Sequence, residues 1–219
     1  MISKEVMDAA RRSLENPGES FAELPKAYSG TEPVLFLFRH GSTVDNEARI
    51  FSGWRNAALS PKGIKNAEIL AEKLKNFRID MGIHSHLSRS FDTLKIALRN
   101  HPNVKFVEDD RIIERNYGDL AGTSKTELMK KNPEEAILFR RGYDYPPPNG
   151  ESLKMVEGRV FPFCEELVNR MKTEKINVAI SSHSNSMRVI RRYFEEMTID
   201  QMCSHENPLG EDYVSYIIK

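Results

Sequence analysis

The sequence has little cysteine, no surplus of either charge and no long apolar run, and each lack removes a class of function. Its 219 residues include only two cysteines, Cys164 and Cys203, which make neither a disulfide framework nor a zinc-ligand spacing. Cys164 falls within an apolar helical pattern, so a buried thiol is expected there. Lys and Arg together number 32, as do Asp and Glu. This zero balance leaves no electrostatic footprint for nucleic acid, so any strong positive potential must be local. No apolar stretch is long enough to span a bilayer. The N-terminus has no apolar signal core, and its acidic residues argue against a transit peptide. A reducing, cytoplasmic setting is therefore expected, with neither nucleic acid nor membrane as partner. No carboxylates or histidines cluster with metal-ligand spacing, and no internal repeat or low-complexity tract is present.

What is present is an alternation of short apolar strands and amphipathic helices. Residues 1–33 read as an N-terminal extension. Met1 to Leu14 predicts a helix with Val6, Ala10 and Leu14 on one face, and a loop rich in Pro, Gly and Ser follows. Whether the extension packs, binds a partner or stays disordered is open at this level. From residue 34 to 219 the pattern is that of one domain. Val34 to Phe38 is a continuous apolar run, as in a strand of a parallel sheet covered on both faces. Ser60 is a good N-cap and Pro61 a good first helical residue, with Ile64, Ala67, Ala71 and Leu74 predicted as the helix face. Strands are expected at Met81 to Ser85, Val104 to Val107, Ile176 to Ser181 and Tyr213 to Ile218. Helices are expected from about Arg89, from Leu153 and after His183. Pro162 predicts a kink or break in the second of these. Residues 108–151 interrupt the alternation with turns and two short helical stretches, an insertion near the site. The fold class is α/β: a mostly parallel sheet with helices on both faces and a helical and loop insertion over the site.

In such sheets ligands bind beyond the C-terminal strand ends. His40 and His183 are both expected there. Imidazole is a competent nucleophile toward phosphorus and a good leaving group. Phosphoryl transfer otherwise asks for positioning and positive charge, and the guanidinium of Arg39 offers a fork for two phosphoryl oxygens. The tripeptide Arg39-His40-Gly41 is weak alone. Joined by Arg89, His183 and Glu114 at other strand ends and adjoining loops, it becomes a constellation. Trp54 is expected as a packing anchor. His84, His86, His101 and His205 are expected to be structural or surface groups.

The order Leu37-Phe38-Arg39-His40-Gly41-Ser42-Thr43, Asn46, Phe51-Ser52-Gly53-Trp54 and Leu59-Ser60-Pro61-Lys62-Gly63 resembles the opening of the 2,3-bisphosphoglycerate-dependent phosphoglycerate mutases of the histidine phosphatase superfamily. The resemblance continues through Ser88-Arg89-Ser90, Glu114-Arg115-Asn116-Tyr117-Gly118 and Lys125. It returns in Arg140-Arg141-Gly142-Tyr143-Asp144, Gly150-Glu151-Ser152-Leu153 and His183-Ser184-Asn185-Ser186. Arg-His-Gly marks only the superfamily; Phe-Ser-Gly-Trp, the paired arginines and Asn185 point to the mutase branch. The resemblance implies interconversion of 3-phosphoglycerate and 2-phosphoglycerate, a step of glycolysis and gluconeogenesis, primed by 2,3-bisphosphoglycerate without a metal.

By the same resemblance, His40 takes the phosphoryl group, and Arg39, Arg89, His183 and Asn46 hold its oxygens, with Ser42 and Thr43 nearby. Glu114 exchanges a proton with the substrate hydroxyl, for which it must be protonated part of the time near neutral pH. Ser52, Gly53, Tyr117, Lys125, Arg140, Arg141, Ser184 and Asn185 contact the phosphoglycerate, and Lys125 with the arginine pair would hold its second anionic group. Three departures keep a phosphatase acting on a small phosphorylated metabolite as the alternative. Ser184 stands where the family usually has Gly, the 143–151 connection is short, and the last strand ends at Lys219 where relatives often carry a covering tail. The short connection leaves a monomer or a small homo-oligomer open. A phospholigand-binding pseudoenzyme is a third reading, opposed by the full set of phosphate-site groups.

Overall fold

The structure is a computed structural model that describes residues 3–15 and 24–219. The elements run α1 (Lys4–Glu15), β1 (Val34–Arg39), α2 (Val44–Glu47), α3 (Pro61–Leu74), β2 (Met81–His84), α4 (Ser88–Ala97), β3 (Lys105–Glu108), α5 (Lys125–Lys131), α6 (Pro133–Arg141), α7 (Leu153–Glu174), β4 (Val178–Ser182), α8 (Ser184–Glu195), α9 (Ile199–Ser204) and β5 (Val214–Ile217). Five strands form one sheet in the order β3-β2-β4-β1-β5. All neighbours pair in parallel except β5, which runs antiparallel to β1.

The run Val34 to Phe38 is apolar throughout because both faces of β1 are covered. Leu35 and Leu37 pack with α7, α8 and α9, whereas Val34, Phe36 and Phe38 pack with Leu70 and Leu74 of α3 and Leu94 of α4. This is the period-two alternation of a central strand. Backbone bonds between Pro25, Ala27 and Ser215 lay the preceding segment along the outer edge of β5, where a bare edge would invite unwanted pairing. Cys164 is fully buried, as expected.

Two expectations about helices are corrected. The exposed face of α3 includes Ile64, while Gly63, Asn66, Ala67, Leu70, Ala71 and Leu74 are buried. Gly63 takes the inward position because α3 starts hard against the loop after β1: a Cβ on it would lie 1.9 Å from the Ser42 carbonyl oxygen. Second, α7 is unbroken across Pro162. Pro162 and Gly158, whose carbonyl loses its helical donor to the proline, both face solvent, so water can satisfy the freed oxygen.

The N-terminal helix packs. Val6 and Ala10 of α1 are buried, and Ala10 joins Ala136 and Ile137 of α6 in a small separate core. Further contacts join α1 to α9 and α5. The side chain of Leu14 and residues 16–23 of the following loop lie outside the described part.

Candidate active site

His40 follows β1 and His183 follows β4, adjacent parallel strands, so the sheet itself brings the two rings to 5.1 Å between centroids. The His40 Nδ1 lies 2.7 Å from the Gly41 carbonyl oxygen. A carbonyl can only accept, so Nδ1 carries the proton and Nε2 keeps its lone pair. Burial holds the His40 pKa well below its ordinary value, and the charges of Arg89 and Arg39 push the same way. The ring is thus a neutral imidazole with a nucleophilic Nε2. Its neighbour Gly41 admits no side chain, since a Cβ would lie 2.3 Å from the Gly63 carbonyl oxygen.

One cleft at these strand ends is lined by Arg39, His40, Asn46, Ser52, Gly53, Arg89, Glu114, Tyr117, Lys125, Arg140, Arg141, Ser184 and Asn185. The expected residues Ser42, Thr43 and His183 do not line it. Ser42 is buried, and Thr43 caps α2 with its hydroxyl against Asn46. His183 is completely buried behind His40, its Nε2 2.8 Å from the Ser85 hydroxyl.

Arg89, the second residue of α4, donates to the carbonyls of Arg55 and Gly53 at 2.7 and 2.8 Å. It therefore fixes the Ser52-Gly53 loop as well as facing the cleft. Burial lowers both Arg39 and Arg89 to about 10 against the opposing pull of Glu114, and the charge of Arg140 adds to the lowering at Arg39 as that of Arg39 does at Arg89. Buried cations crowded together at one cleft are the electrostatic mark of an anion site.

Glu114 accepts four hydrogen bonds. Its Oε1 accepts from the Arg115 and Asn185 backbone amides at 2.8 and 3.1 Å and from the Asn185 side chain at 3.0 Å, and its Oε2 accepts from the Ser184 amide at 3.1 Å. Two of those amides open α8, whose N-terminus favours negative charge. Burial alone would raise the Glu114 pKa, but these bonds and the charges of Arg89 and Arg39 outweigh it and hold the pKa below the ordinary value. Among these partners Glu114 is a carboxylate. Ser184 meets the backbone requirement: its amide serves Glu114 regardless of its side chain.

The insertion is stitched to the loop after α2. Phe51 donates to Thr123 and Gly122 to Phe51, and the Lys125 amide reaches the Arg49 carbonyl. This places Lys125, capped by Ser124, beside Ser52. Burial and the charges of Arg140 and Arg39 lower its pKa to about 7. Arg140 and Arg141 end α6. Gly118, at φ +50°, lets the Tyr117 turn press on the proline loop, where a Cβ would meet the Pro148 carbonyl at 2.0 Å. Trp54 anchors its loop and does not line the cleft, as expected. It is 46% exposed and ties its loop by donating Nε1 to the Glu114 carbonyl at 2.7 Å, not by burial.

Three residues were not anticipated. Glu151 accepts from the Asn116 amide and pairs with Arg159, which donates to the Glu114 carbonyl, so it braces the Glu114 loop from behind. Its only sequence signal was the Gly150-Glu151-Ser152 motif. Arg115 is fully buried, its three guanidinium nitrogens without a hydrogen-bond partner, over the Tyr117 ring. Glu206 lines the cleft from a segment that carried no pattern.

Sheet order, paired histidines and arginine ring define an α/β phosphate-site protein, and comparison gives it a family. The histidine phosphatase superfamily (branch 1) matches residues 35–214. The phosphoglycerate mutase of Schizosaccharomyces pombe is 37% identical over 193 residues, covering 85% of this chain and 90% of that protein. The 2,3-bisphosphoglycerate-dependent phosphoglycerate mutase of Parvibaculum lavamentivorans is 34% identical, covering 77% and 83%. Among solved structures, Bacillus stearothermophilus YhfR superposes with a TM-score of 0.75 at 24% identity over 84% of this chain and 90% of that one, a likeness of fold. The chain belongs to the histidine phosphatase superfamily and, within it, to the phosphoglycerate mutase family.

Proposed function

We propose that this chain interconverts 3-phosphoglycerate and 2-phosphoglycerate through a phosphohistidine on His40, with 2,3-bisphosphoglycerate as primer and in the cytoplasm. The observation that carries the reading is that one cleft holds both a nucleophilic His40 Nε2 and, on the insertion, a second cationic group formed by Lys125, Arg140 and Arg141. Transfer to water needs only the first. Retaining a bisphosphate while it reorients needs both.

In the proposed cycle, Nε2 of His40 takes the phosphoryl group from the bisphosphate while Arg39, Arg89 and Asn46 face its oxygens. Charge is neutralised by side chains already in place, which therefore need little reorganisation. The alkoxide left behind takes its proton from Glu114. Glu114 is a carboxylate in the empty site, so the dianionic phosphoryl group must raise its pKa by screening the two arginines and adding repulsion. The phosphohistidine next transfers its group to the free hydroxyl of an entering 3-phosphoglycerate, whose proton Glu114 recovers. The resulting bisphosphate reorients so that Nε2 takes the other phosphoryl group while Glu114 returns the proton to the alkoxide of 2-phosphoglycerate.

The test is a paired assay of 2-phosphoglycerate formed from primed 3-phosphoglycerate and inorganic phosphate released from 2,3-bisphosphoglycerate. Wild-type protein should isomerise faster than it hydrolyses. A charged hydrogen bond contributes about 1.5–3 kcal/mol, so Arg140→Ala should lower isomerisation by roughly one to two orders of magnitude and hydrolysis much less. Phosphate release without 2-phosphoglycerate would replace the reading with a hydrolase.

A further inference from the structure

Glu206 sits where a second anionic group of the substrate would bind. Its carboxylate pairs with Arg141, with Arg188 at 3.0 Å and with Arg140 at 3.6 Å. The backbone on either side is anchored to the same site: the His205 carbonyl accepts from Arg188 at 2.7 Å and the Asn207 carbonyl from Arg39 at 3.2 Å. The carboxylate is therefore presented from a fixed segment. Exposure is asymmetric. Arg141 and Arg188 are 2% and 1% exposed, whereas the Glu206 side chain is 25% exposed. The arginines cannot leave, but the carboxylate can turn out to water.

We infer that Glu206 is a built-in occupant of the second anion subsite, which the acidic end of the substrate displaces, and that it sets the affinity and specificity of that subsite. This rests on the reading of Lys125, Arg140 and Arg141 as an anion-binding group. With the site empty, Glu206 neutralises buried cations that would otherwise repel one another. When a ligand enters, its anionic group must outcompete a carboxylate already in place. A neutral or weakly charged end cannot do so, and a doubly charged phosphate or a well-placed carboxylate can. The same competition shortens residence, since Glu206 can re-enter as the product leaves.

The alternative, that Glu206 only tethers the arginines, predicts the opposite sign. The experiment is calorimetric titration of the full chain with 3-phosphoglycerate, alongside steady-state kinetics. Glu206→Gln keeps the size and an accepting oxygen but removes the competing charge. It should bind about tenfold more tightly, with a lower KM and no gain in kcat. Glu206→Asp, which draws the charge back by one methylene, should give a smaller gain of roughly two- to threefold and provides the comparison if the Gln variant does not fold. Unchanged or weaker binding in both variants of a mutase-active protein overturns the inference. Tighter binding by the variants of a protein that forms no 2-phosphoglycerate overturns the mutase reading and leaves the role of Glu206 standing.

Discussion

At the scale of single residues, the site is governed by buried cations crowded together. Lys125 shows this best. Its pKa of about 7 means that it loses its charge on the alkaline side of neutrality when the site is empty. A bound anion would raise that pKa, so binding takes up a proton. The contribution to affinity is then fully present below pH 7, falls as pH rises above it, and is gone above the pKa of the complex. Phosphate esters are already doubly ionised in that range, with a second pKa near about 6, so substrate titration does not mask the effect. The KM for 3-phosphoglycerate should be flat just below pH 7 and climb by up to about tenfold per unit above it. Lys125→Arg, charged throughout, should flatten the profile. A wild-type KM constant from pH 7 to 9 would show that Lys125 does not meet the substrate.

At the scale of elements, α1 braces the parts that carry the second cationic group. It packs on α6, which ends in Arg140 and Arg141, and on α9, which leads into Glu206. Ala10→Asp would bury an unpaired charge against Ala136 and Ile137. Destabilisation of about 2–4 kcal/mol is expected, seen as a lower Tm at roughly 2–4 °C per kcal/mol. In protein still folded at the assay temperature, isomerisation should fall more than labelling of His40. Equal loss of both would mean that α1 stabilises the molecule without positioning α6. The strands and the cap of α3 were legible in the sequence because each has a local cause: an apolar run, or a Ser whose hydroxyl accepts from an amide three residues on. On α3, Ala67, Ala71 and Leu74 face inward as expected, but Ile64 does not, because Gly63 takes the inward position against Ser42, far apart in pattern though close in space. Likewise Arg188 and Arg191 of α8 carried no signal in the sequence, yet both are buried with partners on the 205–207 segment. Glu206 had no signal at all, since it belongs to a loop whose meaning comes from the three arginines it meets. For Glu114 burial could be foreseen, but not the amide donors of α8.

At the scale of the molecule, a chain with zero formal charge brings Arg39 at the end of β1 and Arg89 at the start of α4 to one cleft and faces them with an insertion carrying more cations. Among the described residues no helix is long and apolar enough to cross a membrane, and no three His, Cys, Asp or Glu side chains are grouped to hold a metal ion. If the arginines supply the charge neutralisation, turnover should be unchanged in excess chelator. Activity lost with chelator and restored by manganese would require a different mechanism. The central claim, however, is that the phosphoryl group passes through one nitrogen of one residue. The direct measurement is mass spectrometry and phosphorus NMR of the acid-labile adduct formed on brief exposure to 2,3-bisphosphoglycerate. Because Nδ1 is committed to the Gly41 carbonyl, the adduct should be on His40 at Nε2 and absent from His40→Ala. An adduct on Nδ1 or on another residue, or full labelling of His40→Ala, would contradict the account.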